Sequence, residues 1–143
     1  MNIVFCDIET DGLDPSVIWC AVCQHNGEAE VICNEEDFKA YVSRKAPAQF
    51  VFHNGIGFDV PVVERLWNFT FDRSMVLDTL VLSRLAAPSR SGGHSLLNWG
   101  NILGFETGDH EDWPQLTPQI NDHIMSEGEI TEAVISRISG DIG

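Results

Sequence analysis

Ile3-Val4-Phe5-Cys6-Asp7-Ile8-Glu9-Thr10-Asp11-Gly12 decides the reading of this chain. It starts as an apolar, β-prone run and therefore predicts a buried strand over residues 2–9. Two carboxylates interrupt its end. Strand side chains alternate, so Asp7 and Glu9 leave the sheet on the same face. Paired acids beside a hydrophobic run are costly unless something neutralises them. A divalent cation is the natural partner. Magnesium takes hard oxygen ligands, typically one or two carboxylates plus water and substrate phosphate. Taken alone, a D-x-E at a strand end reads more readily as the entry to the Asp11-Gly12 turn.

Composition sets the frame. The 143 residues are 43% hydrophobic and 21% charged, enough for one domain, residues 1–143, with a sizeable core. No apolar run reaches the ~18 residues of a membrane span. No basic segment precedes an apolar one at the N-terminus, so the expectation is a cytoplasmic protein, in the host cytoplasm if viral, with no membrane partner. Cys6, Cys20, Cys23 and Cys33 lie in strand-like segments and read as buried, reduced thiols. The Cys20-x-x-Cys23 step places its sulfurs on opposite strand faces and has no second C-x-x-C to complete a zinc site.

The formal net charge is −14, and the eight Lys and Arg residues form no run. A simple nucleic-acid-binding module would carry a basic patch. A metal-dependent nuclease need not, because bound cations can dominate the local potential. For such a nuclease, weak affinity for nucleic acid alone and strong dependence on metal and salt would follow.

Further strands are predicted over 17–24, 29–33, 50–53 and, as a strand or extended piece, 74–77. Asn34 reads as the N-cap of a helix that ends before Pro47, with Glu35, Glu36 and Asp37 in its first turn. A helix carrying Phe58, Val62, Val63, Leu66 and Trp67 follows Asn54-Gly55, with Asp59 at its start. Asp78 caps a helix over 79–86, and Ser95 caps one that ends at Gly104. Residues 88–93 form a flexible loop, 106–115 an irregular acidic stretch, and Pro118 opens the last helix at its first position. The order implies an α/β domain with a mixed sheet.

Four stretches together resemble a family. Residues 5–12 are similar to the first motif of the DnaQ-like (DEDD) 3′–5′ exonucleases, and His53-Asn54-Gly55-Ile56-Gly57-Phe58-Asp59 to their second, whose closing Phe-Asp supplies another acid. Leu77-Asp78-Thr79-Leu80-Val81-Leu82-Ser83-Arg84-Leu85 and His94-Ser95-Leu96-Leu97-Asn98-Trp99-Gly100 resemble the proofreading exonuclease domain of phage family-A DNA polymerases. The match runs from Asn2 to about Asp112. It implies the ribonuclease H-like fold, a mixed central β-sheet flanked by α-helices, with the first strand central.

The third motif departs from the pattern. Those enzymes carry Tyr-x-x-x-Asp or His-x-x-x-x-Asp on a late helix, and neither string occurs here. His123-Ile124-Met125-Ser126-Glu127 has the tyrosine-type step with different residues. Ile120, Ile124, Glu127, Thr131, Val134 and Ile138 share one helical stripe, so Glu127 is an acid on a largely apolar face. A solvated position at the stripe's edge is the competing reading.

The resemblance then implies two divalent cations, Mg2+ or Mn2+. Asp7 would bridge both, Glu9 and Glu127 would hold the one that activates water, and Asp59 would support the second. His123 would orient or deprotonate the attacking water, although a surface histidine reads nearly as well. Thr10 and Asn54 are candidate contacts to the 3′-terminal nucleotide, with local capping an equal explanation. Asp78 reads as a cap rather than a ligand. His94 and Trp99 read as packing residues, with base stacking by Trp99 the weaker alternative. The implied substrate is a single-stranded DNA 3′ end, with RNA as an alternative and a DNA polymerase as a candidate partner. A non-catalytic scaffold that keeps the fold is the reading from another class.

Overall fold

The computed structural model describes residues 1–103 and 113–126. Among these, five strands form one mixed sheet in the order β3-β2-β1-β4-β5. They are β1 (Asn2–Thr10), β2 (Ile18–His25), β3 (Glu28–Ile32), β4 (Ala48–Phe52) and β5 (Val76–Asp78). β1 is central: it pairs antiparallel with β2 and parallel with β4. β3 closes an antiparallel hairpin with β2 through the positive-φ pair Asn26 and Gly27, and β5 runs parallel to β4. The two-fold alternation along β1 buries Val4, Cys6 and Ile8 on one face and turns Asp7 and Glu9 to the other.

Helices cover both faces. Beneath Val4, Cys6 and Ile8 lie α1 (Glu35–Lys45) and α2 (Val60–Leu66), packed through Phe38, Tyr41, Val60, Val62 and Val63. α1 begins where expected, because the Asn34 side chain accepts from the Asp37 amide at 2.9 Å. On the opposite face Val51, Leu77 and Phe5 meet α3 (Thr79–Ala86), α4 (Leu96–Leu103) and α5 (Trp113–Ser126) through Leu82, Trp99, Ile120 and Ile124. Asp78 caps α3 by accepting from Leu80 at 2.9 Å, and Ser95 caps α4 by accepting from Asn98 at 3.1 Å.

Three expectations are corrected. α5 starts at Trp113, so Pro118 lies inside it and residues 113–115 are helical rather than irregular. Pro114 takes an early helical position, where a missing N–H costs nothing. Residues 74 and 75, expected as part of a strand or extended piece, belong to a 3₁₀ turn over Arg73–Met75, and the strand is Val76–Asp78. Asp72 causes this by accepting from the Ser74 amide and hydroxyl. Cys33 is exposed and Cys20 half-buried, because β3 is an edge strand whose outer face no described helix covers; Cys6 and Cys23 are buried. All four are free thiols, and Cys6 and Cys23 face each other across β1 and β2. Residues 106–112 of the acidic stretch, Glu127 and the later positions of the helical stripe lie outside the described residues.

Candidate active site

Asp7 and Glu9 sit half-buried near the C-terminal end of β1, opposite Val22 and Cys20 of β2. The register of β1 and β2 shifts between Glu9 and Thr10, which marks a bulge at the strand's end. Beyond it the chain turns sharply. Asp11 accepts from the amides of Ser16 and Val17 at 2.9 and 3.1 Å, and Arg65 of α2 donates to the Pro15 carbonyl at 2.7 Å. The turn after the acids is therefore braced from within and from α2. The Thr10 hydroxyl takes part in it, donating to the Gly12 carbonyl at 2.8 Å.

The third acid arrives from another element. β4 leads into Asn54, whose φ of 66° reverses the chain. Residues Gly55–Asp59 then form a π-helical turn closed by the Val60 amide donating to the Gly55 carbonyl. π-turns recur at functional sites. This one ends on Asp59, which is buried and whose Oδ2 accepts from the Ile8 amide at 3.3 Å. Glycine is required at Gly55, where a Cβ would collide with Phe52, and a Cβ on Gly57 would come within 2.7 Å of Asn54 Oδ1.

The electrostatics show what this convergence costs. Burial pushes the Asp7 carboxyl up to about 7, with repulsion from Glu9 adding to the rise. Burial pushes Asp59 well above the usual carboxylate range as well, and the nearby Asp7 reinforces it. Carboxylates held this way gain most from an added positive charge. The donor set, oxygen only and mutually repelling, fits magnesium or manganese in kind. Among the described residues no three His, Cys, Asp or Glu side chains close around a cation by themselves. Glu127, the expected fourth acid, lies outside them.

His123 lies on α5, its ring edge-to-face with Trp99 at 5.3 Å between centroids. Trp99 is fully buried, which removes it as a stacking platform for a base. Its indole N–H donates to Ser83 Oγ at 3.0 Å, Ser83 lies 2.7 Å from His94 Nδ1, and the Arg90 guanidinium sits 4.4 Å over the ring. His94 in turn places its carbonyl 2.9 Å from His53 Nε2, while Thr79 Oγ1 lies 2.8 Å from His53 Nδ1. A carbonyl only accepts, so Nε2 carries a proton. Burial pulls the His53 pKa down, favouring the neutral ring. His94 and Trp99 thus brace α4 and the loop before it.

Asp78 does more than the helix cap that its sequence position predicts. Its carboxylate also accepts from the Asn54 and Ile56 amides at 2.8 and 3.1 Å. No local pattern signals those two bonds, which span more than 20 residues.

Known proteins share stretches of this sequence and its fold. A family model described as the RNase H superfamily matches residues 4–115. The DNA-directed DNA polymerase of Escherichia phage T7 is 30% identical over 141 aligned residues, covering 77% of this chain and 20% of that protein. That of Enterobacteria phage T3 is 33% identical over 104 residues, covering 53% and 15%. The chain thus spans a fifth or less of these relatives. A solved product-bound structure of exonuclease I superposes with a TM-score of 0.66 at 16% identity, covering 87% of this chain and 43% of that one. At that identity the superposition speaks for the fold, which is the expected ribonuclease H-like one. The chain belongs to the RNase H superfamily. Its sequence is related to a stretch of these two phage DNA polymerases. No helix of the described residues is long and apolar enough to cross a membrane.

Proposed function

We propose that this chain is a metal-dependent 3′–5′ exonuclease domain, residues 1–143, that removes nucleoside monophosphates from single-stranded DNA ends in the cytoplasm, the host's if the chain is viral. The observation that carries this reading is the convergence of Asp59 on the Ile8 amide beside Asp7, which brings a buried and a half-buried carboxylate together, both with raised affinity for protons. Asp7, Glu9, Asp59 and Glu127 would hold two divalent cations, Mg2+ or Mn2+. When bound, such a pair stabilises both the attacking and leaving oxygens of an in-line displacement at phosphorus.

The protein's own part is placement and proton handling. β1 and the π-turn present carboxylates from two rigid elements, which keeps the site preorganised. His123 is assigned to orienting the attacking water or taking its proton, and Trp99 supports its ring from the core side. Thr10 and Asn54 flank the acids and are assigned to the terminal nucleotide. The matched polymerases support DNA as substrate and polymerase association as a role for such a domain.

The test is digestion of labelled single-stranded DNA with and without Mn2+ or Mg2+. Mononucleotides should appear from the first time point. A blocked 3′ end should stop digestion, and a blocked 5′ end should not. Cutting within a circular strand would replace this reading with an endonuclease, and digestion of RNA in preference to DNA would reassign the substrate. A folded protein that binds metal yet cuts neither would leave a binding scaffold.

A further inference from the structure

We propose that Asp78 is a positioning residue of the nuclease site: its carboxylate sets the turn that delivers Asp59 to β1. The proposal deepens the exonuclease reading and rests on it for the role of Asp59.

Asp78 closes β5, and its Cα partner across the sheet is Phe52, the last residue of β4. Its side chain is 3% exposed. A helix cap needs one of its oxygens, and Oδ1 supplies that bond to Leu80 at 2.9 Å. The same Oδ1 accepts from Asn54 at 2.8 Å, and Oδ2 accepts from Ile56 at 3.1 Å. Asn54 is the residue with φ of 66°, so the carboxylate grips the chain on both sides of Gly55 at its sharpest reversal. Hydrogen bonds to an ionised acceptor are stronger than neutral ones, and here they hold an otherwise uncommon conformation.

The consequences run forward along the chain. With Asn54 fixed, its carbonyl accepts from Phe58 at 3.0 Å and the Gly55 carbonyl from Val60. Asp59 stands between those two donors. Its Oδ2 then reaches the Ile8 amide. Asp78, with three N–H groups on its two oxygens, has its acceptor capacity directed at the backbone, as a positioning group requires. Holding a metal-ligating carboxylate through its neighbours is how precise metal geometry is maintained, since support of this kind governs affinity as well as activity.

Two variants separate this role from capping. Serine is a good N-cap, so Asp78→Ser keeps the bond to Leu80, but its shorter side chain does not span to Asn54 and Ile56. Asp78→Asn keeps the volume, yet its single carbonyl oxygen cannot serve all three amides. The primary readout is hydrogen exchange at the Ile8 amide by NMR, compared with the Val4 and Phe5 amides of the same strand. The second is Mn2+ binding by calorimetry, with the nuclease assay run beside it.

Both variants should speed Ile8 exchange relative to Val4 and Phe5 by about tenfold, the scale of one lost hydrogen bond to a charged group. Mn2+ should bind more weakly to each. Parental Ile8 exchange in Asp78→Ser would reduce Asp78 to a cap and overturn the proposal. If that variant does not fold, Asp78→Asn decides by the same comparison. If the parent neither binds Mn2+ nor digests DNA, the exonuclease reading fails, and Ile8 exchange still decides whether Asp78 positions Asp59.

Discussion

Asp59 Oδ2 accepts a hydrogen bond from the Ile8 amide at 3.3 Å, across 51 residues of sequence. Ile8 lies between Asp7 and Glu9, so this bond locks the acid of one motif onto the backbone of the other. It also brings Asp59 within electrostatic reach of Asp7.

Divalent metal should stabilise the fold. A ligand that binds only the native state contributes about 2.7 kcal/mol at a hundredfold excess over its Kd. For a chain of this size that corresponds to a rise in Tm of roughly 5–10 °C. Differential scanning calorimetry with millimolar Mn2+ or Mg2+ should show it, and EDTA should reverse it. Asp7→Ala should abolish the response; an unchanged Tm in parent and variant alike would count against an assembled metal site.

Without metal, the acids should make stability fall as pH rises. The Asp7 carboxyl is raised to about 7 and Asp59 is raised too, so the folded state holds protons that the unfolded chain has released. Their contribution is full below about pH 4, the unfolded value, and is lost as pH climbs through 7. His53 works in the opposite sense: its pKa is lowered, so its contribution rises as the unfolded imidazole deprotonates near pH 6.5. The difference between parent and Asp7→Asn isolates the carboxylate. In EDTA, the Tm of the parent minus that of the variant should decline between pH 5 and 8.

Trp99 should prove a structural keystone of the α3–α4–α5 face. It is fully buried, donates to Ser83 and meets His123 edge-on. Trp99→Ala should cost about 3–5 kcal/mol. Trp99→Phe should cost less, about 1–2 kcal/mol, chiefly through the lost N–H bond to Ser83. Urea titrations of both variants would measure this, and equal stability of parent and Trp99→Ala would refute the packing.

Glu127 should govern rate rather than folding. Glutamate is one methylene longer than aspartate, and misplacement of a catalytic group by about 1 Å can cost on the order of a hundredfold. A slow enzyme is expected, with Mn2+ outperforming Mg2+, which demands near-ideal octahedral geometry. Glu127→Ala should abolish digestion of single-stranded DNA and leave the metal-free Tm unchanged. Digestion at the parental rate would show that Glu127 is not a ligand.

Much of this protein is written in local pattern. Two-residue alternation alone places Asp7 and Glu9 on one face of β1 and Val4, Cys6 and Ile8 on the other. Asn34 with three acids after it starts α1, and Ile120 and Ile124, four apart, are both buried. These features depend on neighbours within a turn or a strand, so composition and spacing suffice to find them. The tertiary structure alone decided the rest. It covered the outer side of β1 with α5, while no described helix covers β3, and Cys33 is exposed. It also turned Gly55–Asp59 into a π-turn, because Asp78, more than 20 residues away, captures the Asn54 and Ile56 amides. A carboxylate that caps its own helix and one that also shapes a distant turn look the same in sequence. Only packing β5 beside β4 gives Asp78 its second set of partners and brings Asp59 to Ile8.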